Sequence, residues 1–263
     1  MALVNRLPLN QMNLKRMGVM NVTPDSFSDG GEFFSPQSIS PQIQFLSQFD
    51  AIDIGAESTA PQNSSISWTL EWERWQMVLP FIKDVTTTIS ADTYHPETIF
   101  ELLKYWKDHK LKSKLMWNDV SGKFDDSVRD YLKSGGDYIF CHNLAPSREL
   151  SGRHMDYVSK DLNLSEYFSP FKHPQVIFDP CLGFSKTYEQ NWDILEHFEQ
   201  LQKSVDHSRW LVGFSRKSFL RKKYAVTDRE ELDRLHALEL KPILSKASGE
   251  LWIRSHRPEL IQD

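Results

Sequence analysis

The 263-residue sequence contains only two cysteines, Cys141 and Cys181, and they lie far apart in the chain. Their spacing matches no metal-binding or redox motif, and we expect both to be reduced thiols. No apolar run is long enough to cross a bilayer, and residues 1–15 lack the apolar core of a signal peptide. These absences argue against a secreted disulfide scaffold and a membrane protein, and they predict a cytoplasmic location.

The chain also lacks an excess of positive charge, since 31 Lys and Arg are outnumbered by 36 Asp and Glu and the formal net charge is −5. An acidic chain is not expected to bind nucleic acid as its main partner, and an anionic substrate would need a locally basic pocket. No Gly-x-Gly-x-x-Gly follows the first apolar run, which argues against a dinucleotide-binding fold. No linker or low-complexity segment divides the chain, so we expect one domain over residues 1–263.

The main feature of the sequence is a repeated alternation of short apolar runs with helix-period segments. Strands that alternate with helices at this spacing predict a parallel sheet of the α/β class. Eight repeats in this length favour a closed (β/α)8 TIM barrel over an open sheet. The predicted strands are 18–22, 51–55, 87–91, 114–118, 138–141, 176–178, 211–214 and 251–254.

Helix starts are predicted from capping residues and prolines. The apolar stripe that contains Trp72 and Trp75 is interpreted as core between a helix and the barrel. The chain ends seven residues after His256, so the helix after the eighth strand is expected to be missing or truncated. The expected starts are Ser40 with Pro41, Pro96, Asp125, Thr187 and Asp228.

Polar residues follow every predicted strand, at the end where TIM barrels carry their sites. Each has an ordinary structural explanation of its own, such as a helix cap for Asp92, but a shared site explains them together. These residues are Asn21, Glu57 to Thr59, Asp92, Asn118 with Asp119, His142, Asp179, Ser215 to Lys217, and Arg254 with His256.

The residue types indicate the ligand. Asp92, Asn118 and Asp179 supply acceptors and an amide that suit a heterocycle with several N–H groups and a carbonyl. Positive charge and donors for a phosphate or diphosphate are predicted from Lys217, Arg254 and His256. Asn21 offers a neutral oxygen of the kind that Mg²⁺ takes when substrate phosphates and water fill its other positions. Together these features predict displacement of diphosphate from a carbon or from another phosphorus.

Seven short motifs, in this order and spacing, resemble those of dihydropteroate synthases over residues 17–256. They are NVTPDSFSDGG at 21–31, DIGAEST at 53–59, DT at 92–93, NDVSG at 118–122, DPCLGF at 179–184, GFSRKS at 213–218 and IRSH at 253–256. The resemblance implies an eight-stranded α/β barrel. It also implies condensation of a dihydropterin-methyl diphosphate with 4-aminobenzoate, which releases diphosphate and forms dihydropteroate for folate synthesis.

The resemblance further implies a role for each matching residue. Asn21 would coordinate Mg²⁺ on the diphosphate, and Ser215 would help to hold the aminobenzoate. A homodimer is also implied. The diphosphate would be held by Thr59, Arg254 and His256; the pterin by Asp92, Asn118, Asp179 and Lys217; and the closing loop would carry Asp25 and Phe27. The residues expected to take part in catalysis are Asp25, Lys217, Arg254 and His256.

The sequence departs from the family pattern at several positions. Ala60 stands where the family usually has arginine, and Lys186 or Arg257 could supply a cation from another loop. Cys181 and Ser185 replace glycines. Three interpretations stay open: an active synthase, a non-catalytic or altered-specificity paralogue that binds pterin, and another pterin-binding barrel such as a methyltransferase. The predicted diphosphate site argues against the third, because a methyl transfer has no diphosphate to bind.

Overall fold

The structure, a computed structural model, describes residues 12–23, 36–57, 65–147, 150 and 154–262. Parallel strands form a closed barrel, in which each strand pairs with its sequence neighbours and the last pairs with the first. The predicted TIM barrel is therefore confirmed. The strands are β1 (Met12–Asn21), β2 (Ala51–Gly55), β3 (Thr88–Asp92), β4 (Leu115–Asp119), β5 (Asp137–Cys141), β6 (Val176–Asp179), β7 (Arg209–Val212) and β8 (Gly249–Ser255).

Helices connect the strands on the outside of the barrel. None of those in the described ranges has an apolar stretch long enough to span a bilayer. Short 3-10 helices cover His154–Tyr157, Ser169–Phe171 and Pro258–Leu260. The α-helices are α1 (Pro36–Leu46), α2 (Trp68–Ile82), α3 (Pro96–His109), α4 (Asp126–Leu132), α5 (Leu164–Phe168), α6 (Tyr188–Glu196), α7 (Phe198–Val205), α8 (Ser218–Tyr224) and α9 (Arg229–Leu244).

Two apolar layers hold the barrel and its helices together. Because side chains alternate along a strand, neighbours in β5 belong to different layers. Ile139 lies in the barrel interior, whereas Tyr138 and Phe140 pack outward against the helices. Trp75 of α2 is fully buried in the outer layer, as the sequence predicts, and Trp72 is partly buried and packs against the same layer. Burying each large side chain of this kind contributes about 1.5–3 kcal/mol.

Most predicted helix starts are confirmed by their caps. The Asp125 carboxylate accepts from the N–H groups of Ser127 and Val128, and Thr187 begins α6 with a capping box that includes Gln190. Asp228 caps α9 by accepting from the Glu231 N–H. The helix that was predicted to start at Thr187 is interrupted at His197, and Phe198 begins a separate helix, α7.

The predicted start of the first helix, at Ser40 with Pro41, is wrong. Helix α1 begins at Pro36, which is the proline of an earlier Ser-Pro pair in the sequence, and Pro41 lies inside the helix. Ser40 and Pro41 are both exposed, so the hydrogen bond that proline cannot donate is missing on the solvent side of the helix. A proline within the first two turns therefore does not identify the first turn.

The seventh strand also differs from its prediction of 211–214, because β7 begins at Arg209 and ends at Val212. Arg209 extends the strand at its start by pairing with Asp137 and Glu250 on other strands. Ser215 to Lys217 consequently lie in the turn beyond the strand rather than directly at its end. After β8, the described chain makes a single 3-10 turn, Pro258–Leu260, where a full helix would follow in other barrels.

Candidate active site

A cleft at the carboxyl ends of the strands brings together residues from six different strands or the turns after them. Apolar side chains of Val120, Leu182 and Phe184 also line it, which gives a flat ring system surfaces to pack on. The predicted site residues that line the cleft are Asp92, Asn118, Asp179, Lys217 and Arg254. Asn21 borders the same end of the barrel, as the last residue of β1.

Arg254 connects two carboxylates inside the barrel. Its Nε donates to Asp53 Oδ2 at 2.6 Å, and its Nη2 donates to Asp92 Oδ2 at 2.8 Å. Asp53 Oδ1 also accepts from Ser90 Oγ and from Asn118 Nδ2. The predicted pterin and diphosphate residues therefore belong to one hydrogen-bonded network, with the fully buried Asp53 at its centre.

One guanidinium faces two carboxylates in this network, so negative charge is in excess. Burial raises the pKa of the Asp92 carboxyl to about 7, the neighbouring Asp53 carboxylate adds to the rise, and Arg254 opposes it. Asp92 can thus be protonated or ionised near neutral pH. A carboxyl with this property can donate to or accept from a heterocycle, depending on which tautomer binds.

Asp179 and Lys217 face the cleft from β6 and from the turn after β7. Burial raises the pKa of Asp179 and lowers the pKa of Lys217. Asp179 Oδ1 accepts from the Cys181 N–H at 2.7 Å, which fixes the carboxylate plane. The Lys217 ammonium lies 4.1 Å from the centre of the Phe184 ring, over its face. Gly183, at φ +83°, leaves room for the Lys217 stem, which would lie 3.1 Å from an added Cβ.

His256 and Ser215 meet beside this cleft. Ser215 Oγ donates to Asp233 Oδ1 at 2.8 Å, so it must accept from His256 Nδ1, which lies 2.9 Å away. Burial and the nearby cations, including Arg216, lower the pKa of His256 well below its usual range. The imidazole is therefore neutral near pH 7, with its proton on Nδ1 and an acceptor at Nε2. The expected positive charge at His256 is absent in this state, and the Ser215 hydroxyl is already engaged.

Lys186 does not replace the missing cation on the second loop, and that prediction is wrong. Its side chain is fully buried, and its Nζ donates to the carbonyl oxygens of His142, Cys181 and Phe184 at 3.0–3.3 Å. His142 Nδ1 lies 3.0 Å from the same ammonium, and burial together with Lys186 lowers the pKa of His142 to about 3. Both side chains therefore hold the loops after β5 and β6 together. Arg257 pairs with Glu259 instead.

Two members of the site were not predicted from the sequence, namely Asp53 and Asp233. Asp53 lies in the middle of the apolar run AIDIG, and Asp233 lies on the buried face of α9. Both are buried carboxylates, and Asp233 pairs with Arg216 at 2.7 Å. A carboxylate inside an apolar strand is expected to need a buried partner, so this signal was available for Asp53.

Asp25, Phe27, Thr59 and Ala60 fall outside the described residues. Their expected roles on the two loops stay predictions. The described chain on either side of the second loop is well anchored: Glu57 Oε1 accepts from the Ile66 N–H at 3.1 Å, and His95 Nε2 lies 3.2 Å from the Ile66 carbonyl oxygen.

Comparison with known proteins identifies relatives along most of the chain. The family model described as "Pterin binding enzyme" matches residues 17–241. The dihydropteroate synthase of Synechocystis sp. is 30% identical over 90% of this chain and 89% of its own length. The mitochondrial folate synthesis bifunctional protein of Pisum sativum is 34% identical over 78% of this chain. This chain covers only 43% of that longer protein.

Solved structures give the same result. Dihydropteroate synthase from Clostridium difficile, crystallised in the presence of pteroic acid, is 28% identical and superposes with a TM-score of 0.71 over 92% of this chain and 90% of that chain. The enzyme from Anaplasma phagocytophilum with bound 6-hydroxymethylpterin-monophosphate is 26% identical, with a TM-score of 0.73 over 94% of both chains.

Proposed function

Since the chain belongs to the pterin-binding enzyme family, we propose that it is a dihydropteroate synthase. This transferase joins (7,8-dihydropterin-6-yl)methyl diphosphate to 4-aminobenzoate, releases diphosphate and forms 7,8-dihydropteroate for folate synthesis. The observation that carries the proposal is the cleft in which Asp92, Asn118, Asp179 and Lys217 converge beside Arg254. That set provides donors and acceptors for a pterin next to a cation for its diphosphate.

The pterin is held by groups at the carboxyl ends of β3, β4 and β6. Asp179 accepts from the amino and ring N–H groups, since its carboxylate is fixed by the Cys181 N–H. Asn118 donates to Asp53 and keeps its amide oxygen for the ligand. Phe184 and Lys217 lie against one another beside these groups and border the ring position. Asp92 can be protonated or ionised near neutral pH, so it can pair with whichever tautomer of the pterin binds.

The diphosphate is held by donors that the network leaves available. Arg254 uses Nε and Nη2 for Asp53 and Asp92, so Nη1 and the remaining N–H groups can reach a ligand. His256 can donate from Nε2 only after it takes up a second proton, because in the neutral ring the single proton is on Nδ1, which donates to Ser215 Oγ. Diphosphate binding should therefore raise the pKa of His256. The cations stabilise the leaving group as negative charge develops on it.

Mg²⁺ is proposed as the cofactor, with Asn21 as its protein ligand. Two oxygen atoms border the space that Gly55 leaves open: an added Cβ would lie 3.4 Å from Asp92 Oδ2 and 3.6 Å from Asn21 Oδ1. One or two oxygen donors fit a Mg²⁺ ion that keeps waters and substrate phosphates as its other ligands. When bound, the ion supplies positive charge to the diphosphate. Asp25 is proposed to stabilise the methylene carbon as it becomes positive, and loop closure to exclude water.

The test is an assay of the purified chain with both substrates and Mg²⁺, in which dihydropteroate and diphosphate are both measured. The matched variant is Asp179→Asn, which keeps the size of the side chain but removes an acceptor. We expect both products in equal amounts from the unmodified chain. The variant should lose at least about tenfold in kcat/KM, since one hydrogen bond to a charged group contributes about 1.5–3 kcal/mol. Absence of product from the unmodified chain contradicts the proposal.

A substitution at Ala60 can distinguish two interpretations of the chain, a slow synthase and a paralogue that only binds pterin. Lys186 is held by three carbonyl oxygens and cannot supply the missing cation. We expect Ala60→Arg to raise kcat/KM by about 10- to 100-fold, because one charge-assisted contact in the transition state contributes roughly 1.5–3 kcal/mol. Pterin affinity should not change. No turnover in either protein, with pterin bound by both, would identify the paralogue.

The remaining proposals concern partners and location. The chain acts on small molecules, and with its acidic net charge it is not expected to bind nucleic acid. A cytoplasmic location and a homodimer stay predictions from the sequence and from the resemblance. Light scattering on the purified chain tests the dimer, and a monomeric mass at micromolar concentration would contradict it.

A further inference from the structure

The two cysteines of the sequence meet inside the cleft. Cys141 is the last residue of β5, and in the strand register it lies opposite Asp179, the last residue of β6. Cys181 follows two residues later, has a left-handed backbone (φ 56°) and lines the same cleft. Both thiols are buried, with exposures of 2% and 4%. Their spacing along the chain matches no metal-binding motif, yet the fold brings the two residues to the same carboxylate.

The arrangement has the dimensions of a tetrahedral metal site. The two sulfur atoms and a carboxylate oxygen of Asp179 all lie within 4.8 Å of one another. Ligands at the usual Zn–S and Zn–O distances in a tetrahedron place sulfur roughly 3.5 Å from oxygen and roughly 3.8 Å from a second sulfur. Cys141 Sγ lies 3.5 Å from Asp179 Oδ2. Only small side-chain rotations are needed for all three atoms to share one cation.

The surrounding charges suit a thiolate-bound divalent cation. Two thiolates and one carboxylate around M²⁺ carry a net charge of −1, and the ammonium groups of Lys217 and Lys186 interact electrostatically with both Cys181 and Asp179. Thiolate ligands favour soft or borderline ions such as Zn²⁺ and Cd²⁺ over Mg²⁺. This donor set is therefore chemically distinct from the oxygen atoms proposed for Mg²⁺ at Asn21.

We propose that Cys141, Cys181 and Asp179 form a binding site for a thiophilic divalent cation of the Zn²⁺ or Cd²⁺ class. Two thiols and one carboxyl bind the ion, and the two thiol protons are released to solvent. The fourth position faces the cleft and takes water. If the proposed function holds, the cation competes with the pterin, because both need Asp179.

Cadmium titration of the full chain tests the site directly. The protein is kept anaerobic with a phosphine reductant, and its thiols are first counted after denaturation to show that both are reduced. Because the chain has only two cysteines, an ultraviolet sulfur-to-cadmium charge-transfer band can arise only from them. We expect the band to saturate at one cation per chain, with both thiols protected from alkylation. Absence of the band, or saturation above one cation per chain, overturns the proposal.

Variants distinguish a specific cation site from nonspecific cation binding at the protein surface. Cys181→Gly suits the left-handed backbone and removes one ligand, so it should fold and lower cation affinity by at least about 100-fold. Asp179→Asn should weaken binding but keep a sulfur-to-cadmium band. His197→Ala removes a half-exposed imidazole at the end of α6 and should change nothing. An unchanged titration of Cys181→Gly contradicts the proposal.

Competition with the pterin is measured separately with a fluorescent oxidised pterin as the probe. We expect one equivalent of Cd²⁺ to weaken pterin binding to the unmodified chain and to leave Cys181→Gly unaffected. A cadmium band without any pterin binding would refute the proposed function but not the metal site. Pterin binding without a cadmium band would refute the metal site alone. Simultaneous binding of both, each at its own affinity, would disprove the competition.

Discussion

Arg209 and Arg254 each bridge two carboxylates of the barrel, one at each end of the strands. At the amino ends, Arg209 binds both oxygens of Asp137 through Nη1 and Nη2, at 2.6 and 3.0 Å, and binds Glu250 through Nε. Its Nη1 also donates to the carbonyl oxygen of Pro174. Trp252 Nε1 completes the cluster by donating to the same Glu250 oxygen. Nearly every donor at this end has a protein partner.

At the carboxyl ends, Arg254 makes one bond to Asp53 and one to Asp92, and it keeps free donors. The pKa of Asp92 is raised to about 7, so this network carries a carboxyl that is only partly ionised. The same residue types therefore serve two purposes. A cluster whose arginine donors are all used by protein groups (saturated) contributes to stability. A cluster that leaves some arginine donors unused (unsaturated) has the capacity to bind a ligand, and this difference is not visible from the residue types.

The largest effect is expected at the saturated end. Arg209→Gln leaves the Asp137 and Glu250 carboxylates facing each other without a cation, and breaking such a pair costs about 3–5 kcal/mol of unfolding free energy. Denaturant unfolding measures this loss. Adding Asp137→Asn to the variant should recover part of it, and pterin affinity of the folded protein should not change. A loss under about 1 kcal/mol would show that this end is not a structural cluster.

At the unsaturated end, a loss of function is expected in addition to a loss of stability, because Arg254 is also the cation partner of the fully buried Asp53. Arg254→Gln removes the cation that faces the diphosphate position, which should lower kcat/KM by about 30- to 150-fold, or about 2–3 kcal/mol. Calorimetry with diphosphate should show a parallel loss of affinity. Arg209→Lys is the matched control, because it changes an arginine of the same barrel far from the cleft. Equal activity of Arg254→Gln and the unmodified protein would contradict the assignment.

The sequence was sufficient to predict which residues lie at the open end, because parallel strands of a barrel bring their carboxyl ends together. Asp92, Asn118, Asp179, Lys217 and Arg254 were identified in this way, and they line one cleft. The prediction did not include their mutual contacts. Arg254 and Asp53 are 201 positions apart, and only the barrel closure between β1 and β8 brings them within hydrogen-bonding distance.

Lys186 and the two cysteines show why local features of the sequence were not sufficient. Lys186 was named as one of two cations that could reach in from another loop, yet three carbonyl oxygens bind its ammonium inside the protein. The cysteines were judged by spacing along the chain, whereas strand pairing between β5 and β6 determines their separation in space. Charge and spacing are local properties of a sequence. The partner that satisfies a buried group is set by tertiary structure.

The excess negative charge at the open end predicts a pH dependence of stability. The pKa of Asp92 is about 7 in the folded chain and about 3.8 in the unfolded chain, so the folded state binds more protons between these pH values. The contribution of Asp92 to stability should therefore fall as pH rises from about 4 to about 7, by about 2 kcal/mol between pH 5 and 7. The lowered pKa values of the buried His142 and His236 act in the opposite direction over the same range. Denaturant unfolding across this range measures the stability. The difference in stability between Asp92→Asn and the unmodified protein should change by about 2 kcal/mol across this range, whereas the profile of Asp130→Asn, which alters an exposed carboxyl on α4, should stay parallel to that of the unmodified protein.

Glu71 and Asp119 contribute in the same direction, because burial raises their pKa values to about 7 and about 6. Both remain in Asp92→Asn, so the comparison with the unmodified protein isolates Asp92. A profile of Asp92→Asn parallel to that of the unmodified protein would show that Arg254 fully compensates both of its carboxylates, which would remove the difference between the two ends of the barrel.

The smallest effect concerns backbone strain at the open end, where Cys181 has a left-handed conformation (φ 56°) outside any helix cap. A residue with a Cβ costs roughly 1 kcal/mol more than glycine in this region. We therefore expect Cys181→Gly to be more stable than Cys181→Ala by about 1 kcal/mol. At Cys141, in the extended strand β5, the order should be reversed, with alanine above glycine by about 0.5–1 kcal/mol. Thermal or denaturant unfolding of the four variants measures both differences. If the sign were the same at both positions, the left-handed turn after β6 would not be a strained element of the site.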